Sequence, residues 1–350
     1  MKILYAIQGT GNGHISRARD IIPLLQLKGD VDVLISGDLK YMKVPFKIQY
    51  KLHGLGFTFG KKGGIDLWKT YKNIEIKQFI KEIKSVPVEQ YDIIINDFEP
   101  ITAWAGKLKK IPVIALSHQS AVLNKKSPKP VKFSWIERHI LQWYAPAKYH
   151  YGFHFDRYSK NIFTPVIRNE IRRQVHIKKG HYTVYLPAYS DQKIINILSQ
   201  IKGVRWHVFS KHSHEPYIAN NIIFSPVDNE KFIESLVTCI GVLCGAGFET
   251  PAEALFLQKK LLVIPMKTQF EQKCNAAALN EMGVLVLKKL SMKYVSTIKN
   301  WVKNNQAIAV NYQDMTADII NMIFDKHVYK TKKSTAIIPP VSVNKLPIND

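Results

Sequence analysis

Hydrophobic positions along the chain fall into short β-branched runs, separated by longer stretches in which apolar residues recur every three or four places. KILYAI (2–7), VDVLIS (31–36), YDIIIND (91–97) and IPVIALS (111–117) are nearly continuous apolar runs, the pattern of strands buried on both faces of a parallel sheet. Between them, segments such as IEIKQFIKEIK (74–84) carry the period of an amphipathic helix. A second series follows, with YTVYLPA (182–188), RWHVFSK (205–211), NIIFSPV (221–227), CIGVLCG (239–245) and KKLLVIPM (259–266). This alternation predicts an α/β chain built from two doubly wound, Rossmann-like domains.

The region from about 120 to 180 breaks the pattern with SPKPVKF, the aromatic WYAPAKYHYGFHF and TPVIRNEIRRQ. Pro165, just before the basic IRNEIRR, reads as a stiff crossing, so the expected domains are 1–164 and 165–328. Helical patterns return in SMKYVSTIKNWVKNN and DMTADIINMIFDK. Residues 329–350, rich in proline and charge and without periodicity, are expected to be disordered.

A length of 350 residues with 46% apolar content supports two cores, and the formal charge of +23 favours phosphorylated ligands, polyanions or an anionic membrane surface. The lysines are dispersed and no nucleic-acid-binding module is present, which argues against a nucleic-acid partner. Cys239, Cys244 and Cys274 show neither a pairing pattern nor metal-ligand spacing, the usage of a reducing compartment. The chain opens on a strand rather than a secretory leader, and no apolar run reaches the ~20 residues of a spanning helix. A cytoplasmic protein, at most peripheral to the membrane, is expected.

Three stretches carry candidate chemistry. In GTGNGHISRARDIIPLL, Gly9, Gly11 and Gly13, with Asn12 between them, let the backbone turn off the first strand and approach a ligand, but His14 stands where a dinucleotide fingerprint has its third glycine. An imidazole at a helix start facing the crevice of the sheet can accept a proton near neutral pH. The same spacing suits a nucleotide-binding turn whose histidine merely caps the helix. In VLCGAGFETPAEAL, a strand runs into Gly245-Ala246-Gly247 and a helix begins near Thr250. Its amides suit a diphosphate and a nearby carboxylate suits ribose, although a plain β-to-α turn reads identically. In PMKTQFEQKCNAAAL, Gln269, Glu271, Gln272 and Asn275 offer the hydrogen-bonding groups that sugar hydroxyls need, or simply a solvated helix start.

Taken in order, GTGNGHISRA, NDFEP, VYLPAYS, GAGFETPAEAL and QFEQKCNA resemble the two-Rossmann (GT-B) nucleotide-sugar glycosyltransferases over most of residues 1–325. The chain is similar to the lipid-linked N-acetylglucosaminyltransferase of peptidoglycan synthesis and to the UDP-glucuronosyl and plant UDP-glycosyltransferases. It most resembles their bacterial and archaeal branch with a G-x-G-x-G-H-x-x-R start. The resemblance implies a C-terminal helix crossing back to the first domain. It makes His14 the base that deprotonates the acceptor, oriented by Asp97 or, as second choice, Glu99; a helix N-cap is the competing role for Asp97. It assigns Gly245, Gly247, Phe248, Glu249 and Thr250 to the nucleotide diphosphate, Glu253 to the ribose, and Glu271, Gln272 and Asn275 to the donor sugar. Ser210 and Lys211 are further phosphate candidates.

Two departures qualify this assignment. Leu243-Cys244-Gly245 replaces the His-Cys-Gly of the plant enzymes, leaving the diphosphate to amides and Thr250, and Glu271-Gln272 replaces the two glutamines of the peptidoglycan enzyme, so the donor sugar stays open. Asp30-Val31-Asp32 spells the D-x-D of metal-dependent transferases, but it lies where the second strand begins, away from the crevice. No metal and no cofactor beyond the nucleotide-sugar, UDP-linked, is expected.

Two loops combine aromatic and basic residues on the acceptor side. One holds Phe57, Phe59, Lys61, Lys62 and Trp68, the other Phe133, Trp135, Trp143 and Tyr144. Both suit a lipid or cell-envelope glycan acceptor and contact with an anionic membrane, or ordinary solubilising lysine. The expected activity is inverting hexosyl transfer. A non-hydrolysing nucleotide-sugar 2-epimerase and a non-catalytic polyanion binder remain as alternatives.

Overall fold

The computed structural model describes residues 1–10, 12–37, 44–55, 76–131, 135–174, 179–304 and 306–329. Gly11 of the first turn, Phe57, Phe59, Lys61, Lys62, Trp68, Phe133 and the tail from 330 lie outside the described residues, as does the side chain of Asn12.

Each apolar run becomes a strand. Among the described residues, β1 (Lys2–Gln8), β2 (Asp30–Ser36), β3 (Tyr50–Leu52), β4 (Ile93–Asp97), β5 (Val113–Leu116), β6 (Tyr149–Phe153) and β7 (Ile162–Phe163) form one parallel sheet in the order β3-β2-β1-β4-β5-β6-β7. Its helices are α1 (Asn12–Gln26), α2 (Ile76–Ser85), α3 (Pro100–Leu108), α4 (His118–Leu123) and α5 (Trp135–Tyr144). The Asp30-Val31-Asp32 triplet opens β2, and the Asp32 carboxylate accepts a hydrogen bond from the Tyr91 hydroxyl at 2.8 Å.

After the short α6 (Asn169–Arg172) comes the second sheet. Its strands are β8 (His181–Tyr185), β9 (Arg205–Ser210), β10 (Tyr217–Ala219), β11 (Ile222–Pro226), β12 (Gly241–Gly245), β13 (Lys260–Ile264) and β14 (Leu285–Val286), ordered β10-β11-β9-β8-β12-β13-β14. Every pairing is parallel except β10 with β11. Helices α7 (Asp191–Leu198), α8 (Asn229–Thr238), α9 (Glu249–Phe256), α10 (Phe270–Glu281) and α11 (Val295–Asn304) accompany it. A separate compact unit begins at Met315, in which α12 (Thr316–Phe324) continues into a π-helical turn, Asp325–Tyr329.

In both sheets the strand order reverses beside the first strand, between β1 and β4 and again between β8 and β12. Crevices open at the carboxyl ends of strands at such switch points. The glycine turn carrying His14 leaves β1, Asp97 ends β4, and the Gly245–Gly247 turn leaves β12, so the candidate residues collect at both crevices.

Cores fill as the runs predict. Leu4, Ala6, Leu34, Ile94, Ile101 and Val113 pack in the first domain, and Trp206, Leu243, Leu262 and Trp301 in the second, with the Tyr182 ring 5.4 Å from Trp206 and 5.2 Å from Trp301. The strands β6 and β7 lie in the stretch that the apolar pattern marks as irregular. The Tyr and His residues of β6, and the mere two residues of β7, fit a sheet margin better than its centre.

One close approach sets the geometry of the first crevice. A Cβ on Gly152 of β6 would come within 2.5 Å of the Ala121 backbone nitrogen, so glycine is what allows α4 to lie directly on this strand. Gly152→Ala should therefore destabilise the protein by about 1–3 kcal/mol, because the atoms in the way are backbone. Urea unfolding against the wild type measures this, and an unchanged midpoint would show that α4 moves freely.

Candidate active site

Strand β1 delivers the chain into the glycine turn, and His14 lies in the first turn of α1, 9% exposed. Its Nδ1 is 2.9 Å from Asp97 Oδ1, and Asp97 is fully buried. The competing carboxylate is occupied elsewhere. Glu99 is the N-cap of α3, accepting from Ile101 N at 2.6 Å and Thr102 N at 2.7 Å, and Thr102 Oγ1 donates to it as well. Phe98, between the two acids, adopts φ 58°, the left-handed region that non-glycine residues enter at some cost. That turn points Asp97 and Glu99 to different partners and lays the Phe98 ring parallel to His14, at 6.5 Å and 11°.

Arg17, one helical turn beyond His14 and 2% exposed, completes the cluster. Its Nε donates to Asp97 Oδ2 at 3.1 Å, and its Nη2 lies 2.9 and 2.8 Å from the two Asp97 oxygens. Its Nη1 reaches across to Glu249 Oε1 at 2.8 Å. Burial works against both charges, but the pairing reverses this. Asp97 sits below its ordinary carboxyl value, held by Arg17 and His14, and Arg17 sits above its ordinary value, held by Asp97 and Glu249. The Asp97 contact at 2.9 Å is shorter than the 3.3 Å approach of Arg17 Nη2 to the same His14 nitrogen, which assigns the ring proton to Nδ1. Nε2 is then the basic nitrogen, and it has no hydrogen-bond partner among the described residues.

The second crevice faces the first. Beyond β12, Phe248 caps α9 without a side-chain hydrogen bond, leaving the amides of Glu249 and Thr250 at an open helix start. A Cβ on Gly247 would meet nothing within 4 Å. At Gly13 the opposite holds, because a Cβ there would overlap the Glu249 carboxylate. This glycine of GTGNGH is thus explained by the approach of α9.

The predicted donor-site residues divide into two groups. Glu271 accepts from Gln119 Nε2 at 2.9 Å, and Asn275 lies 2.8 Å from His118 Nε2 while donating to Ala246 O at 3.1 Å. Phe248 stacks on His118, centroids 3.9 Å apart and planes 8° from parallel. These residues gather around the β5–α4 turn of the first domain. Gln272 instead turns to its own loop, bonding Gln269 Oε1 at 2.7 Å and accepting from Met266 N at 2.9 Å. Glu253 is 2% exposed with both oxygens on Arg168, at 2.6 and 2.9 Å, so in this conformation its expected ribose-binding atoms are engaged. Ser210 stands in a separate network, donating to Asp191 Oδ1 and accepting from His212 N.

Of the aromatic residues expected to face an acceptor, Tyr144 is buried, donates to Leu55 O at 2.7 Å and packs 4.8 Å from Phe98. Trp135 and Trp143 of the same helix are 71% and 43% exposed. The cysteines are buried and unpaired, and burial pushes each thiol up, away from nucleophilic use. Among the described residues no helix is long and apolar enough to cross a membrane.

Sequence reading gave no role to Arg17, Arg168, His118 or Gln119. Arg17 was visible as the last residue of H-x-x-R, and His118-Gln119 as a polar pair directly after a strand. Arg168 sits among several arginines with nothing local to single it out.

This arrangement of two parallel sheets is shared with solved glycosyltransferases. UGT2 of Phytolacca americana, complexed with UDP-2-fluoro-glucose and pterostilbene, superposes with TM-score 0.57 at 12% identity, covering 93% of each chain. SsfS6, a glycosyltransferase of Streptomyces sp. SF2575, gives 0.55 at 13% identity over 92% of this chain and 99% of its own. The spinosyn rhamnosyltransferase SpnG gives 0.52 at 12% over 93% and 95%. At these identities the likeness establishes the GT-B fold. Comparison with curated proteins by sequence gives no match. The model of the family described as glycosyl transferase family 1 matches residues 1–305, and the chain belongs to that family of glycosyltransferases.

Proposed function

We propose that this glycosyltransferase moves a hexosyl group from a UDP-linked sugar to an acceptor hydroxyl, with inversion and without a metal. The observation that carries the reading is the buried contact between His14 Nδ1 and Asp97 Oδ1, which leaves His14 Nε2 as a base at the crevice.

In this mechanism the acceptor hydroxyl gives its proton to His14 Nε2 as its oxygen attacks the anomeric carbon. The bond from that carbon to the phosphate oxygen breaks, and its electron pair leaves with the diphosphate. Asp97 holds the ring and stabilises the imidazolium. The departing charge goes to the amides at the start of α9, around Glu249 and Thr250; the uncapped helix start and the open Gly245 to Gly247 turn support this reading. Glu271, on α10 against the β5–α4 turn, is the group for the sugar hydroxyls. Asn275 is fully buried with both amide atoms engaged, on His118 and Ala246 O, so it holds that turn in place rather than meeting the sugar. The UDP-sugar bound by the structurally similar plant enzyme supports the donor class. Exposed Trp135 and Trp143 on α5 support a lipid or envelope-glycan acceptor met at an anionic membrane surface.

A thermal-shift panel of UDP, GDP, dTDP and CMP with their common sugars tests the donor. Stabilisation by UDP-sugars supports the reading, and silence from every nucleotide would refute it. With a donor and acceptor in hand, His14→Ala should cut turnover roughly 100-fold or more while nucleotide affinity stays within about twofold. Unchanged turnover would remove His14 from the chemistry. Chelation should leave the rate unaltered, and the product should have the anomeric configuration opposite to the donor's.

Asp97 also gives a stability prediction. Because folding depresses its carboxyl, the stabilisation it contributes is complete above the unfolded value near 3.8 and disappears as pH falls through the lower folded value. Asp97→Asn, which leaves Glu249 as the one carboxylate on Arg17, should lose about 1–3 kcal/mol near pH 7. The gap from wild type should narrow on acidification below about pH 4, measured by urea unfolding across that range.

A further inference from the structure

Four charged or ionisable groups meet where α1, the end of β4 and the start of α9 converge. Arg17 engages both oxygens of Asp97, so the pair is electrically neutral as a unit and a proton arriving on His14 meets an aspartate already matched. The second carboxylate, Glu249, comes from the other sheet's helix and binds the remaining arm of the guanidinium at 2.8 Å. Arg17, Asp97 and Glu249 together carry one net negative charge, and an imidazolium at His14 brings the set to zero.

Among the described residues, no other nearby ionisable group does this. Tyr5 on β1, buried near Asp97 and Arg17, is held protonated by burial and by the Asp97 charge. Glu99 at the start of α3 is raised by burial and occupied by its helix cap, and Tyr144 on α5 is likewise raised by burial. Glu253, one helical turn along α9, is matched bidentately by Arg168. Among the described residues, Glu249 is the one carboxylate beyond Asp97 that hydrogen-bonds the Arg17 guanidinium, and Gly13 leaves the space that its carboxylate fills.

We propose that Glu249 is a positioning residue for proton acceptance: carried by α9 of the second domain, its carboxylate holds Arg17 and supplies the charge that stabilises the imidazolium of His14. The base is then fully prepared only when the start of α9 lies against the start of α1. This rests on reading His14 as the base, but its electrostatic part stands without turnover.

The test is a ring-NMR pH titration of His14 in the full chain, in wild type, Glu249→Gln and Glu249→Asp. Removing the negative charge should shift the His14 titration to lower pH by about half a unit or more, and aspartate should restore most of the shift. Gly13→Ala, which displaces the carboxylate without removing it, should move the ring in the same direction. An unchanged titration in Glu249→Gln, with the chain folded, overturns the proposal. Turnover gives the second readout, with Glu249→Gln expected to be about tenfold slower at unaltered nucleotide affinity, both measured beside wild type. A large loss of nucleotide affinity with no change in the ring titration would make Glu249 a ligand contact instead and also overturn the proposal. If wild type transfers no sugar from any donor, the functional reading fails, while the ring titration still decides this one.

Discussion

A guanidinium buried to 2% exposure must be paired, and the rest of the site follows from how Arg17 is paired. Removing one partner of a buried ion pair costs about 3–5 kcal/mol, far more than any rotamer preference nearby, so Asp97 is held in one place. Arg17 and Asp97 fix each other through three donor–acceptor contacts, and His14, three residues before Arg17 on the same helical face, takes a remaining approach to the aspartate. The cluster also reaches into the second domain, because one guanidinium nitrogen is left over and Glu249 is what it finds. This cation therefore sets the direction of the imidazole and supplies one of the contacts through which the two Rossmann-like units meet, beside those of His118 and Gln119.

The fold supplies these groups at the correct places for simple reasons. Parallel strands deliver their carboxyl ends to one edge, and the reversal of strand order leaves a gap there between β1 and β4 and between β8 and β12. What leaves those strands is a glycine turn and a helix start in one case and a glycine turn and an uncapped helix start in the other. Such helix starts favour anions, which fits the first domain's interest in a carboxylate and the second domain's proposed interest in a diphosphate. The His118–Gln119 turn ties helix α10 to the same crevice through Asn275 and Glu271.

Much of this was legible in the chain. The β-branched runs marked the central strands because a strand buried on both faces needs apolar side chains on both, whereas β6, with its Tyr, His and Gly residues, and β7, only two residues long, did not announce themselves. His14 was legible because an imidazole interrupts a glycine pattern. Which acid meets it was left open between Asp97 and Glu99, and what decides is the φ of Phe98, which separates the two carboxylates and gives Glu99 to the helix cap. Long-range pairs were not legible. Arg17 with Glu249 and Arg168 with Glu253 join residues more than eighty positions apart, and no local spacing records them. Glu253 illustrates the limit, since its place in the helix was read correctly while its partner, which determines what its oxygens can do, lies outside the motif.

The central claim is that the space between the His14 nitrogen and the start of α9 is where a nucleotide-sugar reacts. A crystal structure of the full chain with an intact, slowly reacting UDP-sugar tests it most directly. The account predicts the diphosphate at the amides of Glu249 and Thr250, the sugar beside Glu271, and the anomeric carbon on the side of the crevice that His14 Nε2 faces. A nucleotide bound away from the Gly245–Thr250 turn, or an anomeric carbon shielded from His14 by the donor itself, would contradict it.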